Sequence, residues 1–268
     1  MSRENPQAKT KRNAVKLLLS LFLTLLLCAG SALAQTITVV TEHWPPYSIQ
    51  EDGHIGGVVT EVVRTALDRA GLKYTLDAYP WSRSYQMAQD QENVLIYSIF
   101  RLPSRENLFQ WIEVPGLAVE MSLYRPAHRT DIHVDCLGDA MHYVVGVTRA
   151  SSTHLFLRDR GFIDEVNLVP LSSEKQNILM TMPGVERTDF STGDRLSLAH
   201  WLQQAGLPPD YLVPVLPLFQ EEICLAFGRK TSPALVDRVR QAVDSLARDG
   251  TLRAILDGHH QTLGLPVP

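Results

Sequence analysis

Between residues 35 and 100 the sequence changes its hydrophobic period at each successive segment, and this alternation limits the folds open to the chain. QTITVVTEHW (35–44) alternates β-branched and polar residues, as a half-buried strand does. In TEVVRTALDRAG (60–71), Val62, Val63, Ala66, Leu67 and Ala70 fall on one helical face, and Gly71 stands at the expected C-terminal stop. KYTLDAYP (73–80) reads as a second strand, SRSYQMAQD (82–90) as a short helix, and the unbroken apolar run VLIYSIF (94–100) as a third, buried strand. Strand, helix, strand, helix, strand is the pattern of a parallel α/β sheet.

A second alternation begins near residue 125. YVVGVTR, VNLVPLS and TDFSTG read as strands, while SSTHLFLRDRG, EKQNILMTM and LSLAHWLQQAG read as helices, with YLVPVLPLF extended. Ser232 is placed as an N-cap and Pro233 in the first turn of a helix whose apolar stripe is Leu235, Val236, Val239, Ala242, Val243 and Leu246. A shorter helix, TLRAILDG, follows. The halves share this rhythm without an internal repeat, so the expected fold is α/β with two lobes and a cleft between them.

Residues 1–34 form a separate segment. Arg3, Lys9, Lys11, Arg12 and Lys16 precede the apolar run LLLSLFLTLLLCAG, and Ser-Ala-Leu-Ala follows. A basic start, a short apolar stretch and small residues are the parts of a secretory signal peptide, with cleavage expected after Ala34. The run is shorter than the ~20 residues that span a bilayer. Of the chain's 25 Lys+Arg and 29 Asp+Glu, five and one lie in residues 1–34, leaving 20 and 28. A net charge of −8 argues against nucleic acid or an anionic membrane as a partner. Cys136 and Cys224 remain, either as one disulfide or as two separate thiols. No Cys/His spacing resembles a metal site, His259-His260 reads as a solvated pair, and no cofactor is expected.

Ligands of open α/β sheets bind outside the carboxyl ends of the strands. The residues just after the strands are Trp44 and Tyr47, Trp81 and Arg83, Arg101 and Arg105, Ser151 and Ser152, and Asp194. With Ser98 in the third strand, they make a set rich in aromatics, cations and hydroxyls. Each has an ordinary structural alternative: Arg101 could pair with Glu106 or Glu113 at the surface, Trp44 and Trp81 could be core, and Ser151-Ser152 could cap a helix.

HWPPY, GHIGGVVTEVVRTAL, LPSRE, VGVTRASS, GVERTDFSTGD and LARDGTLRAIL occur in an order and spacing that resembles the family 3 bacterial extracellular solute-binding proteins. The resemblance implies two lobes that close on a ligand. Crossings would fall near AVEMSLYR and EICLAFG, giving residues 35–122 plus 225–268 as one lobe and 123–224 as the other. It also implies Trp44 as a stacking wall with Tyr47 beside it, and Arg105 as the clamp on the ligand's α-carboxylate. Ser151 and Ser152 match the hydroxyl-bearing helix start of the second lobe, and Asp194 the acid for the ligand's ammonium. A guanidinium suits that first role because it binds a carboxylate through two parallel hydrogen bonds. Trp81, Ser98 and Arg101 complete the expected ligand set.

Leu102 stands where the family carries a threonine, Ala150 where it carries a glycine, and Asn93 where an aspartate is common. The implied function is capture of an amino acid or related small carboxylate in the periplasm by a monomer, for delivery to the permease of an ABC transporter. Two alternatives stay open: a receptor for a membrane sensor, and a binding-fold enzyme of dehydratase or lyase type. The enzyme would need an acid or base in the cleft, for which Glu42, His43 and Glu61 are candidates.

Overall fold

The computed structural model describes residues 36–259, so the expected signal peptide and its cleavage site lie outside the described residues. Three parallel strands open the chain: β1 (Ile37–Thr41) pairs on one side with β4 (Tyr74–Ala78) and on the other with β5 (Val94–Phe100). Between β1 and β4 lie a small hairpin, β2 (Ile49–Glu51) and β3 (His54–Gly56), and helix α1 (Val58–Arg69). Helix α2 (Trp81–Asp90) joins β4 to β5. Every residue of β5 is buried, as an apolar run covered on both faces must be.

Two long antiparallel strands, β6 (Phe109–Pro126) and β10 (Leu212–Gly228), extend this sheet, β10 pairing with both β5 and β6. The sheet order is β4-β1-β5-β10-β6-β9, the last being β9 (Ser191–Gly193). The β6–β10 register shifts at Pro214/Leu216, Pro217/Phe219 and Glu222/Cys224, bending the ribbon where it runs from one half of the molecule to the other.

The second half holds the parallel pair β7 (Val145–Thr148) and β8 (Leu168–Leu171), which a bridge from Val145 to Phe190 connects towards β9. Helices α3 (Leu137–Ala140), α4 (Ser152–Arg158), α5 (Glu174–Leu179) and α6 (Arg195–Gln204) cover it. Its core is Leu123, Val145, Val147, Leu157, Leu168 and Phe190, with a smaller cluster around Tyr124, Ile178 and Leu198. After β10 the chain returns to the first half as α7 (Pro233–Arg248) and α8 (Thr251–Gly258), packed with α1. The six apolar residues read from the sequence of α7 are all buried. Ser232 occupies its N-cap, where its backbone carbonyl, not its hydroxyl, takes the first helical N–H groups. The result is a two-lobed α/β fold.

Cys136 is exposed and Cys224 buried, both as free thiols, so the structure takes the unbridged of the two readings. Burial pushes the Cys224 thiol up to about 12. His259 Nε2 donates at 2.9 Å to the Glu61 carboxylate on the surface of α1, which takes Glu61 out of the cleft; His260 lies outside the described residues.

Candidate functional site

The carboxyl ends of β1 and β5 and the N-terminal ends of α2, α4 and α5 meet at one small cavity of about 50 Å³ between the lobes. Its lining includes Glu42, Trp44, Trp81, Ser98 and Arg105 from the first lobe and Thr148, Ser151, Ser152, Thr153 and Glu174 from the second. Of the nine residues expected from the sequence, Trp44, Trp81, Ser98, Arg105, Ser151 and Ser152 are therefore brought together.

Local structure explains how each arrives there. Arg105 closes a single 3-10 turn, Pro103–Arg105, that follows β5, and its side chain is completely buried. Its guanidinium donates to the carbonyls of Phe100 (3.3 Å) and Ala150 (2.9 Å) and lies against the rings of Tyr85 and Trp81. Trp81 Nε1 donates to the same Ala150 carbonyl at 2.8 Å. Ser98 is skipped in the pairing of β5 with β10, where Cys224 faces Ile99 and Leu225 faces Tyr97. At this bulge its φ is +58°, a strained conformation for a side-chain-bearing residue, and its side chain reaches the cavity wall. Ser151 caps α4 by accepting the His154 N–H, as expected, and also lines the cavity.

Ala150 has φ +59°, the left-handed region that favours glycine, which explains why glycine suits this position in the family pattern. Hydrogen bonds hold its peptide from both sides. Its carbonyl takes Trp81 and Arg105, and its N–H donates to His154 Nδ1 at 2.9 Å. Because Nδ1 accepts, the His154 proton sits on Nε2 and is directed to Asp164, 2.7 Å away.

The other three of the nine lie off the cavity lining. Arg101 does not line the cavity: it is salt-bridged to Glu106 (2.7 Å) and Glu113 (3.0 Å) in solvent, where two acids outcompete a cleft for its charge. Asp194 caps α6, accepting from Leu196 N, Ser197 N, Tyr47 Oη and Trp44 Nε1 at 3.0–3.1 Å. With four donors satisfied, its carboxylate supports the cleft from behind and is absent from the lining. Tyr47 likewise stands behind Trp44, their rings 4.4 Å apart, tied to Asp194.

Leu102 is buried in the main core beside Phe100, so the residue replacing the family's threonine contributes packing and does not face the cavity. Glu174 and Thr153 were not anticipated. Glu174 reads in sequence as an ordinary acidic residue in a helix's first turn, and only the packing of α5 against α6 turns it inward, where it accepts from Ser197 Oγ.

Electrostatics set this site apart from a filled core. Three buried polar atoms on its lining residues have no hydrogen-bond partner: Ser98 Oγ, Thr153 Oγ1 and Arg105 Nε. Such orphans are uncommon in native interiors. Burial lowers the Arg105 guanidinium to about 10 and raises the Glu42 carboxyl to about 8, with Arg105 opposing the second shift. Burial and the neighbouring Asp194 raise Glu174 well above the usual carboxylate range, and Asp194 itself is lifted to about 6.

A model of the family 3 bacterial extracellular solute-binding proteins matches residues 37–262. The chain belongs to this family. A comparison with curated protein sequences finds no match. Among solved structures, a histidine kinase sensor domain with similarity to periplasmic binding proteins superposes with a TM-score of 0.72 at 18% identity, covering 82% of this chain and 94% of that one. The arginine-, lysine-, histidine-binding protein ArtJ from the thermophilic bacterium Geobacillus stearothermophilus gives 0.71 at 15% identity, covering 84% and 94%. An ancestral arginine-binding protein bound to arginine gives 0.70 at 16% identity, covering 83% and 97%. These likenesses establish the fold of this solute-binding protein.

The raised acids make its stability depend on pH with a defined sign. A carboxyl that holds its proton more tightly in the folded than in the unfolded chain stabilises the fold at low pH, and that stability is lost as pH rises towards its folded value. His43 and His200 act in the opposite direction, since burial lowers both, but only below their ordinary value of 6.5. The melting temperature of the ligand-free protein is therefore expected to fall between pH 6.5 and 8, and Glu42→Gln to shrink the fall. A flat profile in differential scanning calorimetry would contradict the burial of Glu42.

Proposed function

We propose that this solute-binding protein captures a small amino-acid-type ligand in the periplasm and presents it to a membrane partner, the permease of an ABC transporter. The reading rests on the three unpartnered polar atoms around one interlobe cavity. Arg105 Nε, Ser98 Oγ and Thr153 Oγ1 supply donors for a carboxylate, and Glu42 and Glu174 supply acceptors for an ammonium. A zwitterion satisfies both groups at once, which neither a sugar nor a simple anion does.

In this proposal residues 35–122 and 225–268 form one lobe and residues 123–224 the other, hinged on β6 and β10. Arg105 and Trp81 reach across to Ala150, and Trp44 and Tyr47 to Asp194, so the jaws are held shut by the residues around the ligand. Opening would break these hydrogen bonds and swing the β-bulges of β10. A second reading, presentation of the closed form to a membrane signalling protein, gains support from the likeness to a kinase sensor domain.

Thermal shift against amino acids, dipeptides and small organic acids tests the binding function. A ligand is expected to raise the melting temperature in proportion to the logarithm of its concentration above Kd. Absence of stabilisation by every carboxylate compound would defeat the reading. Recovery of a chemically altered ligand after incubation would move the function from binding to catalysis.

A further inference from the structure

Ala150 is where the second lobe meets Arg105, and it stands in a conformation that its side chain resists. It lies in the turn from β7 into α4, closed by the Ser151 N–H on the Thr148 carbonyl at 3.0 Å. The left-handed region around its φ of +59° costs an alanine about tenfold in population relative to glycine. Its methyl packs against the first-lobe cluster containing Trp81 and Ile99, a contact that glycine lacks. Its carbonyl accepts from Trp81 Nε1 at 2.8 Å and from Arg105 Nη2 at 2.9 Å. Relaxing to negative φ would turn that carbonyl away from both.

The other end of Ala150 is held by His154, whose Nδ1 accepts its N–H at 2.9 Å. His154 is buried in the first turn of α4, and its own N–H donates to Ser151 Oγ, so the ring moves only with the helix start. Nδ1 can accept only while the ring proton is on Nε2, and Asp164, 2.7 Å from Nε2, fixes that tautomer. Arg158 stands 3.7 Å behind Asp164. One chain of contacts thus runs from Asp164 through His154 and Ala150 to the guanidinium. Neither His154 nor Asp164 lines the cavity. On Arg105, the Phe100 carbonyl takes Nη1 and the Ala150 carbonyl Nη2, leaving Nε as the nitrogen without a partner. Two fixed acceptors on one planar group set its orientation.

We propose that His154 and Asp164 are positioning residues: by holding Ala150 at positive φ they aim its carbonyl at Arg105 and Trp81, which orients the guanidinium and ties the second lobe to it. This rests on Arg105 as the ligand clamp and adds to it residues that act on the clamp without touching the ligand.

Hydrogen exchange of the tryptophan indole N–H groups, followed by NMR of the ligand-free protein, tests it. The Trp81 signal is assigned by its loss in Trp81→Phe. His154→Leu is expected to speed Trp81 exchange by about tenfold or more, while Trp111, bonded to the Glu106 carbonyl within the first lobe, keeps its rate. His154→Asn, whose Oδ1 takes the place of Nδ1, is expected to stay within threefold of the wild type. The double variant Ala150→Gly/His154→Leu is expected to recover as well, because glycine holds positive φ unaided. An unmoved Trp81 in His154→Leu, an equal rise at Trp111, or no recovery with glycine overturns the inference. Where His154→Leu does not fold, Asp164→Ala at its partly exposed position decides. Its imidazole ¹⁵N shifts are expected to lose the pure Nε2–H signature as Trp81 exchange rises, and an unchanged tautomer with an unmoved Trp81 overturns the proposal. Calorimetric titration with L-arginine, L-glutamine and L-glutamate reads the consequence for binding. His154→Leu is expected to weaken whichever of them binds by about tenfold, and the double variant to restore it. Tighter binding in His154→Leu would make the Ala150 carbonyl a competitor for Arg105 and overturn the positioning role. No binding of any of the three by the wild type overturns the amino-acid reading, while the Trp81 rates decide the contact chain without a ligand.

Discussion

Arg105→Met is expected to reduce affinity for a carboxylate ligand by about 100-fold or more while the protein stays folded, with its melting temperature unchanged or raised. The two halves of this result have separate causes. In the bound state Arg105 would be one partner of a buried, charge-assisted pair, and removing such a partner costs about 2–5 kcal/mol of binding. In the empty state the guanidinium is fully buried, its Nε has no partner, and burial lowers it to about 10. It donates to the backbone carbonyls of Phe100 and Ala150, and that of Ala150 keeps Trp81 as a donor after the substitution. A buried cation adds little net stability where burial holds the neighbouring Glu42 and Glu174 carboxyls in their protonated form, so an apolar side chain of similar length fills its place at no loss. Calorimetric titration and a melting curve on the same sample check both halves. Unchanged affinity would remove Arg105 from the site, and loss of the fold would make it a structural residue.

Gly57→Ala is expected to destabilise the protein by about 3 kcal/mol, which for a domain of this size lowers the melting temperature by about 6–12 °C. Gly57 has φ +100°, and a Cβ placed there would sit 2.6 Å from the Tyr47 carbonyl oxygen and 2.8 Å from that of Pro46. Both contacts are with backbone that cannot rotate aside. The same turn receives the first N–H groups of α1: Val58 N donates to Pro46 O and Val59 N to Tyr47 O. The aromatic turn that seats Trp44 at the cavity is thus clamped onto the helix start through Gly57, and ligand affinity is expected to fall with stability. Gly53→Ala is the control. It has φ +77° but nothing within 4 Å of its Cβ, so the effect there is that of backbone conformation alone, about 1–2 kcal/mol. Equal effects at the two positions would contradict the steric argument.

The α/β architecture was legible because it is written in short-range periodicity. Val94–Phe100 could only be a strand covered on both faces, and the stripe of Pro233–Arg248 only an amphipathic helix against a core. The rule that ligands bind beyond strand ends then pointed to Arg105, Trp44 and Trp81. Arg101 and Arg105 look alike at this level, four positions apart on one turn. Whether such a side chain turns inward or out to Glu106 and Glu113 depends on the direction of one 3-10 turn and on what packs over it.

Asp194 is off the cavity lining and Glu174 is on it for a related reason. Asp194 begins a helix, and an acid in that position is drawn to the free N–H groups of the first turn. That its remaining lone pairs would meet Trp44 and Tyr47, residues 150 and 147 positions away, is a long-range contact with no local signature. Glu174 faces the cavity because α5 packs on α6, a contact likewise set by the fold. The sequence by itself determined the order of strands and helices and the strand ends that border the cavity, since these follow from hydrophobic period and local backbone chemistry, while the order and spacing of its motifs carried the resemblance to the family. Only the tertiary structure decided which charged side chains face the cleft, because burial and partner choice for a charge are settled by groups brought together from distant parts of the chain.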